Sequence, residues 1–334
     1  MVDAPARGGR WGTLAVGMLI SIACVAFIFH KIDFQEVRLA FQRFEWRYFA
    51  MGIAFLSFGY AMRILRWTKI LNAAGASISF RQCVAPFLGS IALNNVLPLR
   101  LGDLVRALVF PTSIGVPRTT ATSSLVMERL VDLMTLLICL AVSLAISPDI
   151  AAPAWLKETA VTLAITGTIA LVAIFLLGGV IAVRLADTQS KVFQALASLL
   201  KSFEAMSRLP VLGVLFGLSA LVWAGEAGLF FSLLLGFGFS ATPSTAVIIM
   251  SIATLATLVP SSPGYVGPFH LAAFAGVALL GGTNEQAASF AVLSHLGLWV
   301  PTTVAGAMAI ATSPRMFRGL RGIQKNETPR NSLT

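Results

Sequence analysis

Charge is what this sequence has least of: 11% of its residues are charged, against about 25% in a soluble globular domain. No stretch is long and polar enough to fold as a separate soluble enzyme, so the chain reads as a single membrane domain. Cysteine is nearly missing too. Cys24, Cys83 and Cys139 stand far apart in apolar stretches without CxxC spacing, which leaves packing as their role. There is no nucleotide-binding loop, no cluster of metal ligands and no Ser/His/Asp arrangement with supporting context. The expectation is a protein that is not an enzyme and holds no cofactor.

What is present is apolar: 57% of the 334 residues, with a mean hydropathy of +0.85. The formal charge of +10 would suggest nucleic acid in a soluble protein. Here the basic residues flank apolar runs, which fits anionic lipid and the positive-inside rule instead. Six full spans are expected, at 11–29, 48–70, 120–147, 158–183, 210–235 and 285–311. The first follows Arg7 and Arg10 as a signal sequence would. It exceeds the roughly 7–15 residues of a cleaved apolar core and lacks a cleavage site, so it reads as an anchor.

Between the first two spans, Phe34, Val37, Phe41, Phe44 and Tyr48 recur at helical spacing, opposed by Arg38, Gln42, Arg43 and Glu45. That pattern predicts an amphipathic helix lying in the membrane interface. The run at 84–111 is broken by Asn94-Asn95-Val96-Leu97-Pro98-Leu99-Arg100-Leu101-Gly102-Asp103. Each half is shorter than the roughly 20 residues a crossing needs, so the two predict a re-entrant hairpin with a polar tip. A second short pair, 244–259 and 266–280, meets at Pro260-Ser261-Ser262-Pro263-Gly264-Tyr265-Val266-Gly267.

A shift of 162 positions lays the first half on the second, except that the first spans (11–29 and 158–183) match only with a further offset of roughly one or two helical turns. Phe34, Val37, Phe41 and Phe44 fall on Leu196, Leu199, Phe203 and Met206, and span 48–70 falls on 210–232. Leu97-Pro98 falls on Val259-Pro260, Gly102 on Gly264, and 120–147 on 282–309. The unit is span, interfacial helix, span, hairpin, span. Three crossings per copy is odd, so the copies must be inverted, an architecture of transporters. The expected fold is an all-α integral membrane protein with six transmembrane helices and two re-entrant helical hairpins in an inverted internal repeat. Its parts are a cytoplasmic N-terminus (1–10), the membrane domain (11–312, repeats at about 11–147 and 158–311) and a basic cytoplasmic tail (313–334). With both termini cytoplasmic, sixteen of the 24 Lys and Arg fall on the cytoplasmic side, Arg63 and Arg66 among them, and five fall outside. Arg100, Arg106 and Arg129 remain within the membrane.

Glu128 and Asp132 stand one helical turn apart on one face of span 120–147, beside Arg129. Ionisable groups at that depth are expensive, and they pair with one another or face a cavity. They either handle substrate or form a lock in which Arg129 pairs with Asp132 or Asp103. Arg100 and Arg106 suit an anionic ligand, because a guanidinium grips phosphate with two parallel hydrogen bonds. Asn94 and Asn95 either donate to phosphate oxygens or cap the hairpin turn. Gly264 and Gly267 let backbone approach closely or turn sharply. Tyr265 and His270 can contact a ligand or titrate, with a structural role as the alternative for His270. Glu226 lies deep in span 210–235 without a partner nearby in sequence, as a proton-relay carboxylate or a neutral hydrogen-bonded one. His295 and Pro301 read as packing and kink features.

At these residues the chain resembles the lysylphosphatidylglycerol synthase transmembrane region, also described as the flippase-like domain family, over roughly 11–312. The motif N-x-x-P-x-R-x-G-E-x-x-R is matched from Asn95 to Arg106, and E-R-x-x-D by Glu128, Arg129 and Asp132. A late P-G-G-x-G-x-x-E loop is matched by Pro263, Gly264 and Gly267. The chain departs from the pattern with Asp103 for Glu, Tyr265 for Gly and His270 for the late Glu. In the synthases an aminoacyl-transfer domain follows the membrane region. Because the sequence ends at Thr334, the resemblance implies lipid translocation or lipid handling without aminoacyl-phospholipid synthesis. The expected function is a flippase-like transporter of an anionic or isoprenoid-linked lipid in the cytoplasmic (inner) membrane. The alternatives are a non-transporting accessory subunit of a membrane glycolipid or hopanoid pathway, and a small-solute carrier. The expected partners are a membrane lipid with an anionic headgroup and lipid-biosynthesis enzymes, with no nucleic acid.

Overall fold

A computed structural model gives the fold and describes residues 8–148, 150, 152–186 and 190–313. Most of the expected N-terminal segment 1–10, and all of the basic tail after Ser313, lie outside the described residues. Every regular element among them is helical. The first half contains α1 (Gly8–Lys31), α2 (Phe34–Arg43), α3 (Trp46–Ala73), α4 (Phe80–Val96), α5 (Leu101–Leu108), α6 (Pro111–Ile114) and α7 (Arg118–Ala145). The second half contains α8 (Ala154–Ala186), α9 (Lys191–Met206), α10 (Leu209–Gly236), α11 (Pro243–Ala256), α12 (Pro268–Ala278) and α13 (Asn284–Thr312).

Each of the six expected spans corresponds to one long helix. Four of these are long and apolar enough to cross a membrane on their own: α3, α8 over Ala154–Ile174, α10 and α13. The described apolar part of α1 makes a fifth when counted with α2, which is bent from it by 85°. α7 has 28 residues, but every stretch of spanning length within it contains Glu128, Arg129 and Asp132. Composition alone therefore gives four to five spans. The chain is an integral membrane protein.

Local sequence explains the breaks. Asp33 caps α2 by accepting from the Gln35 amide at 2.7 Å. Leu97 is extended (φ −93°, ψ 145°) because a residue before proline is pushed out of the helical region. Pro98–Arg100 then make one 3₁₀ turn before α5. The second hairpin breaks in the same way, with a 3₁₀ turn at Pro263–Tyr265 before α12. Both turns end on a side chain in the left-handed region, Arg100 (φ 53°) and Tyr265 (φ 61°).

The contacts divide the chain into two compact units. The first comprises the chain up to Arg63, Val131–Leu171 and Phe216–Pro301. Its core gathers Phe230, Leu233, Met250, Ala273, Val277 and Phe290, all completely buried. Here α3 crosses α10, with Gly52 against Leu229 and Gly59 against Val222 and Gly225. Seven residues forward on one helix is seven backward on the other, so the two run antiparallel. Small residues at such a crossing let backbones touch where lipid supplies no hydrophobic drive to associate. The second unit comprises Ile64–Leu130, Val172–Leu215 and the chain from Thr302 on. Trp67, Phe87, Phe110, Met127 and Leu215 fill it, with Phe203 and Met206 of α9 buried among its apolar side chains.

Candidate functional site

Each unit holds a buried cluster of charged side chains. In the second unit the first hairpin supplies it. Asn94 near the end of α4 clasps α5: its Nδ2 donates to Asp103 Oδ1 at 2.9 Å, and its Oδ1 accepts from the Asp103 backbone N–H at 3.0 Å. That N–H is one of the orphan donors of a helix start, capped here from the opposite arm of the hairpin. Gly102 makes the approach possible. A Cβ there would run into the Ser90 carbonyl and lie 2.7 Å from Asn94 Oδ1. Asn95 ties the tip elsewhere, donating to Thr302 Oγ1 at 3.0 Å and Thr303 Oγ1 at 2.8 Å.

Asp103 uses its second oxygen to accept from Arg129 Nη2 of α7 at 2.6 Å. One turn along α5, Arg106 is 2% exposed and forked on Glu128, with Nη1 and Nη2 at 3.2 and 3.1 Å from the two carboxylate oxygens. Its guanidinium lies over the rings of Phe87 (4.6 Å) and Trp67 (5.2 Å). Arg66 of α3, fully buried, approaches the same Glu128 at 3.9 Å. Trp67 is fixed by donating its Nε1–H to Ser124 Oγ at 3.1 Å. The cluster thus brings three arginines onto two acids.

In the first unit Arg63 of α3 donates to Glu226 of α10 at 2.7 Å and lies 3.8 Å from Asp132 of α7. Thr254 Oγ1 donates to the other Glu226 oxygen at 3.2 Å. Arg63 lies over the rings of Trp223 (4.8 Å) and Tyr60 (5.7 Å). Here one arginine serves two acids.

The second hairpin, in the same unit, has no ion pair at its tip among the contacts described. His270, third residue of α12, accepts the Gly267 N–H on Nδ1 at 3.4 Å. His295 of α13 donates Nε2–H to the Gly264 carbonyl at 2.6 Å. The two rings lie 4.5 Å apart, tilted by 41°. Ser21 of α1 pins the loop, donating to the Val266 carbonyl at 2.7 Å and accepting from the Ser262 N–H at 2.9 Å. Gly267 (φ 105°) sits so close that a Cβ would lie 2.7 Å from Ser21 Cα.

The family described as the lysylphosphatidylglycerol synthase TM region matches residues 14–306. The chain belongs to that family. A curated protein named Glycosyltransferase AglD, from Haloferax volcanii, is similar over 128 residues at 27% identity. The match takes in 37% of this chain, and the chain spans about 20% of the length of that relative.

Against this lysylphosphatidylglycerol synthase TM-region fold, the expected site residues separate into groups. Asn94, Asp103, Arg106, Glu128 and Arg129 are brought together. Of the two partners open to Arg129, Asp103 accepts from it at 2.6 Å. Asp132 belongs to the other cluster, with Arg63 and Glu226. Arg100 stands at the first tip in its left-handed conformation, half-buried. Gly264, Tyr265, Gly267 and His270 gather in the second hairpin. Sequence reasoning missed Arg63, Arg66, Trp67 and Trp223. Arg63 and Arg66, counted by sequence on the cytoplasmic side, are drawn into ion pairs with Glu226 and Glu128. His295, read as packing, bonds the hairpin loop, and α13 continues through Pro301.

Proposed function

We propose that this membrane domain translocates an anionic, phosphate-bearing lipid across the cytoplasmic (inner) membrane, as a flippase-like carrier without covalent chemistry of its own. The fork of Arg106 on Glu128 is the observation that carries the reading. A planar pair of donors held on two aromatic rings donates to two phosphate oxygens in the geometry it now offers a carboxylate. An arginine alone in a low-dielectric interior is costly, so Glu128 is its counter-charge while no ligand is bound. An arriving phosphate takes over that role, loosens the contact with α7 and frees the hairpin to shift. The ligand then interacts differently with two states, which any ligand-driven change requires.

The arrangement for moving a headgroup is an inverted repeat of three spans per copy, with the hairpins entering from opposite sides and both termini cytoplasmic. Two observations support it. The order long helix, amphipathic helix, long helix, broken hairpin, long helix occurs twice, and α3 and α10, equivalent in that order, run antiparallel. A second reading, an accessory to membrane glycolipid assembly, is favoured by the similarity to a protein named as a glycosyltransferase.

Purified protein in liposomes carrying a fluorescent anionic lipid tests the two. Transport predicts headgroup movement faster than in protein-free liposomes, slowed about tenfold by Arg106→Lys, the loss of one charge-assisted hydrogen bond. No movement with any anionic lipid, or wild-type rates for both Arg100→Lys and Arg106→Lys, overturns it and leaves the accessory reading.

A further inference from the structure

The cluster in the first unit has a donor to spare. Trp223 is 5% exposed, and its Nε1–H has no hydrogen-bond partner among the described residues. Buried polar groups are nearly always paired, and an exception asks for an explanation. The same indole lies beneath Arg63, and one helical turn along α10 from it stands Glu226. Glu226 and Asp132 are both acids that accept, and both approach Arg63. The side chains of Arg63, Asp132 and Glu226 are 13%, 9% and 10% exposed, so the cluster is nearly but not wholly closed.

Three ligand chemistries can be weighed against that set. An anion would satisfy Trp223 but would sit against two carboxylates. An ammonium would suit the carboxylates but has nothing to offer an indole N–H, since it has no acceptor. A hydroxyl does both, accepting from Trp223 and donating to a carboxylate. Vicinal hydroxyls can also accept from Arg63 and lay an aliphatic edge on the Trp223 and Tyr60 rings. Resting on the transport reading, we infer that Arg63, Trp223, Asp132 and Glu226 form a second headgroup station that takes the hydroxyl-bearing part of the lipid, a glycerol or sugar. Thr254 holds Glu226 in place. The substrate class is then a lipid phosphate ester whose headgroup carries free hydroxyls.

The test uses full-length protein, ¹⁵N-labelled at tryptophan, in detergent micelles. Trp223→Phe identifies the indole N–H resonance of Trp223. Dihexanoyl phosphatidylglycerol should move that resonance downfield, whereas dihexanoyl phosphatidic acid, which has the phosphate without headgroup hydroxyls, should leave it in place. Trp223→Phe should weaken phosphatidylglycerol binding about tenfold, one hydrogen bond's worth, and Trp155→Phe, at an exposed tryptophan of α8, should not. An equal shift with phosphatidic acid, or none with either lipid, overturns the station. A shift with free glycerol but none with phosphatidylglycerol overturns its role in lipid recognition. Arg106→Lys titrated with phosphatidic acid separates the two ideas. Unchanged affinity there with the indole shift intact sinks the phosphate clamp alone, and weakened affinity without the shift sinks the hydroxyl station alone.

Discussion

Arg106 and Arg63 are built alike and surrounded differently. Each is a guanidinium stacked on two aromatic rings and held by a buried glutamate. Arg106 is forked through both nitrogens on Glu128, with Arg66 behind that acid and Asp103–Arg129 beside it. Arg63 donates to Glu226 through Nη2 and has a second acid, Asp132, at 3.8 Å. The named groups thus leave a surplus of arginine in one unit and a surplus of acid in the other. On the proposed reading, one device set in opposite charge balance serves an anion in the first case and, in the second, a hydroxyl that accepts from Trp223 and donates to a carboxylate. The comparison also separates the energetic roles of the two glutamates, and that difference is open to attack.

The largest effect should come from Glu128→Gln. It takes the carboxylate from Arg106 and Arg66 together, both essentially without access to solvent. Removing one partner of a buried ion pair costs about 3–5 kcal/mol. Folded yield should collapse, read as loss of the monodisperse peak in size-exclusion chromatography. Glu226→Gln should cost less, about 1–3 kcal/mol, because Arg63 keeps Asp132 and the glutamine still accepts from it. Equal losses for the two variants would break the contrast between a glutamate that faces two arginines and one that faces Arg63 and a threonine.

A smaller effect is expected at the first hairpin tip. Asp103→Asn keeps an acceptor for Asn94 but turns an ion pair with Arg129 into a neutral contact. The Arg129 side chain is 40% exposed, so water screens much of the loss and about 1 kcal/mol remains. Thermal unfolding in detergent should show it, and raised salt should shrink the gap from wild type. The histidine tip of the second hairpin offers no such ion pair among its described contacts. His270→Gln should therefore show no matching salt dependence.

Much of this was legible in the sequence because it is local. Apolar runs marked the long helices, Pro98 and Pro263 marked the breaks, and Asp103, Arg106, Glu128 and Arg129 lie within two short motifs. What was not legible lies between helices distant in sequence. Arg63 and Glu226 are 163 positions apart, and nothing in the spacing around either one names the other. Arg63 and Arg66 sit near the end of an expected span, where basic residues ordinarily mark the cytoplasmic flank, and that pattern hid their pairing. One signal was available. Arg63 is the eighteenth residue of α3, and Glu226 is the eighteenth of α10. Asp103 and His270 are each the third residue of α5 and α12, and Arg129 and His295 each the twelfth of α7 and α13. Counting from helix starts pairs these residues, where a fixed shift of 162 misses them by one to five positions.

The smallest effect is the most discriminating, because it should differ in sign. Trp67 and Trp223 both lie under an arginine, at 5.2 and 4.8 Å, and both are buried. Replacing either with Phe removes a similar volume and weakens a similar cation–π contact, so those losses largely cancel between the variants. What remains is the indole N–H. Trp67→Phe loses a made hydrogen bond to Ser124, although the Ser124 hydroxyl keeps its own bond to the Ala121 carbonyl at 2.7 Å. That costs about 0.5–1.5 kcal/mol. Trp223→Phe instead removes a donor that was paying a desolvation penalty for no bond, which offsets part of its packing loss. Without lipid, Trp223→Phe should unfold at a higher temperature than Trp67→Phe. Saturating dihexanoyl phosphatidylglycerol should reverse the order, since a ligand that bonds the Trp223 N–H stabilises only chains that retain it to the full extent. If both variants fall equally below wild type with and without lipid, the spare indole donor has no ligand to meet, and the two stations are alike only in construction.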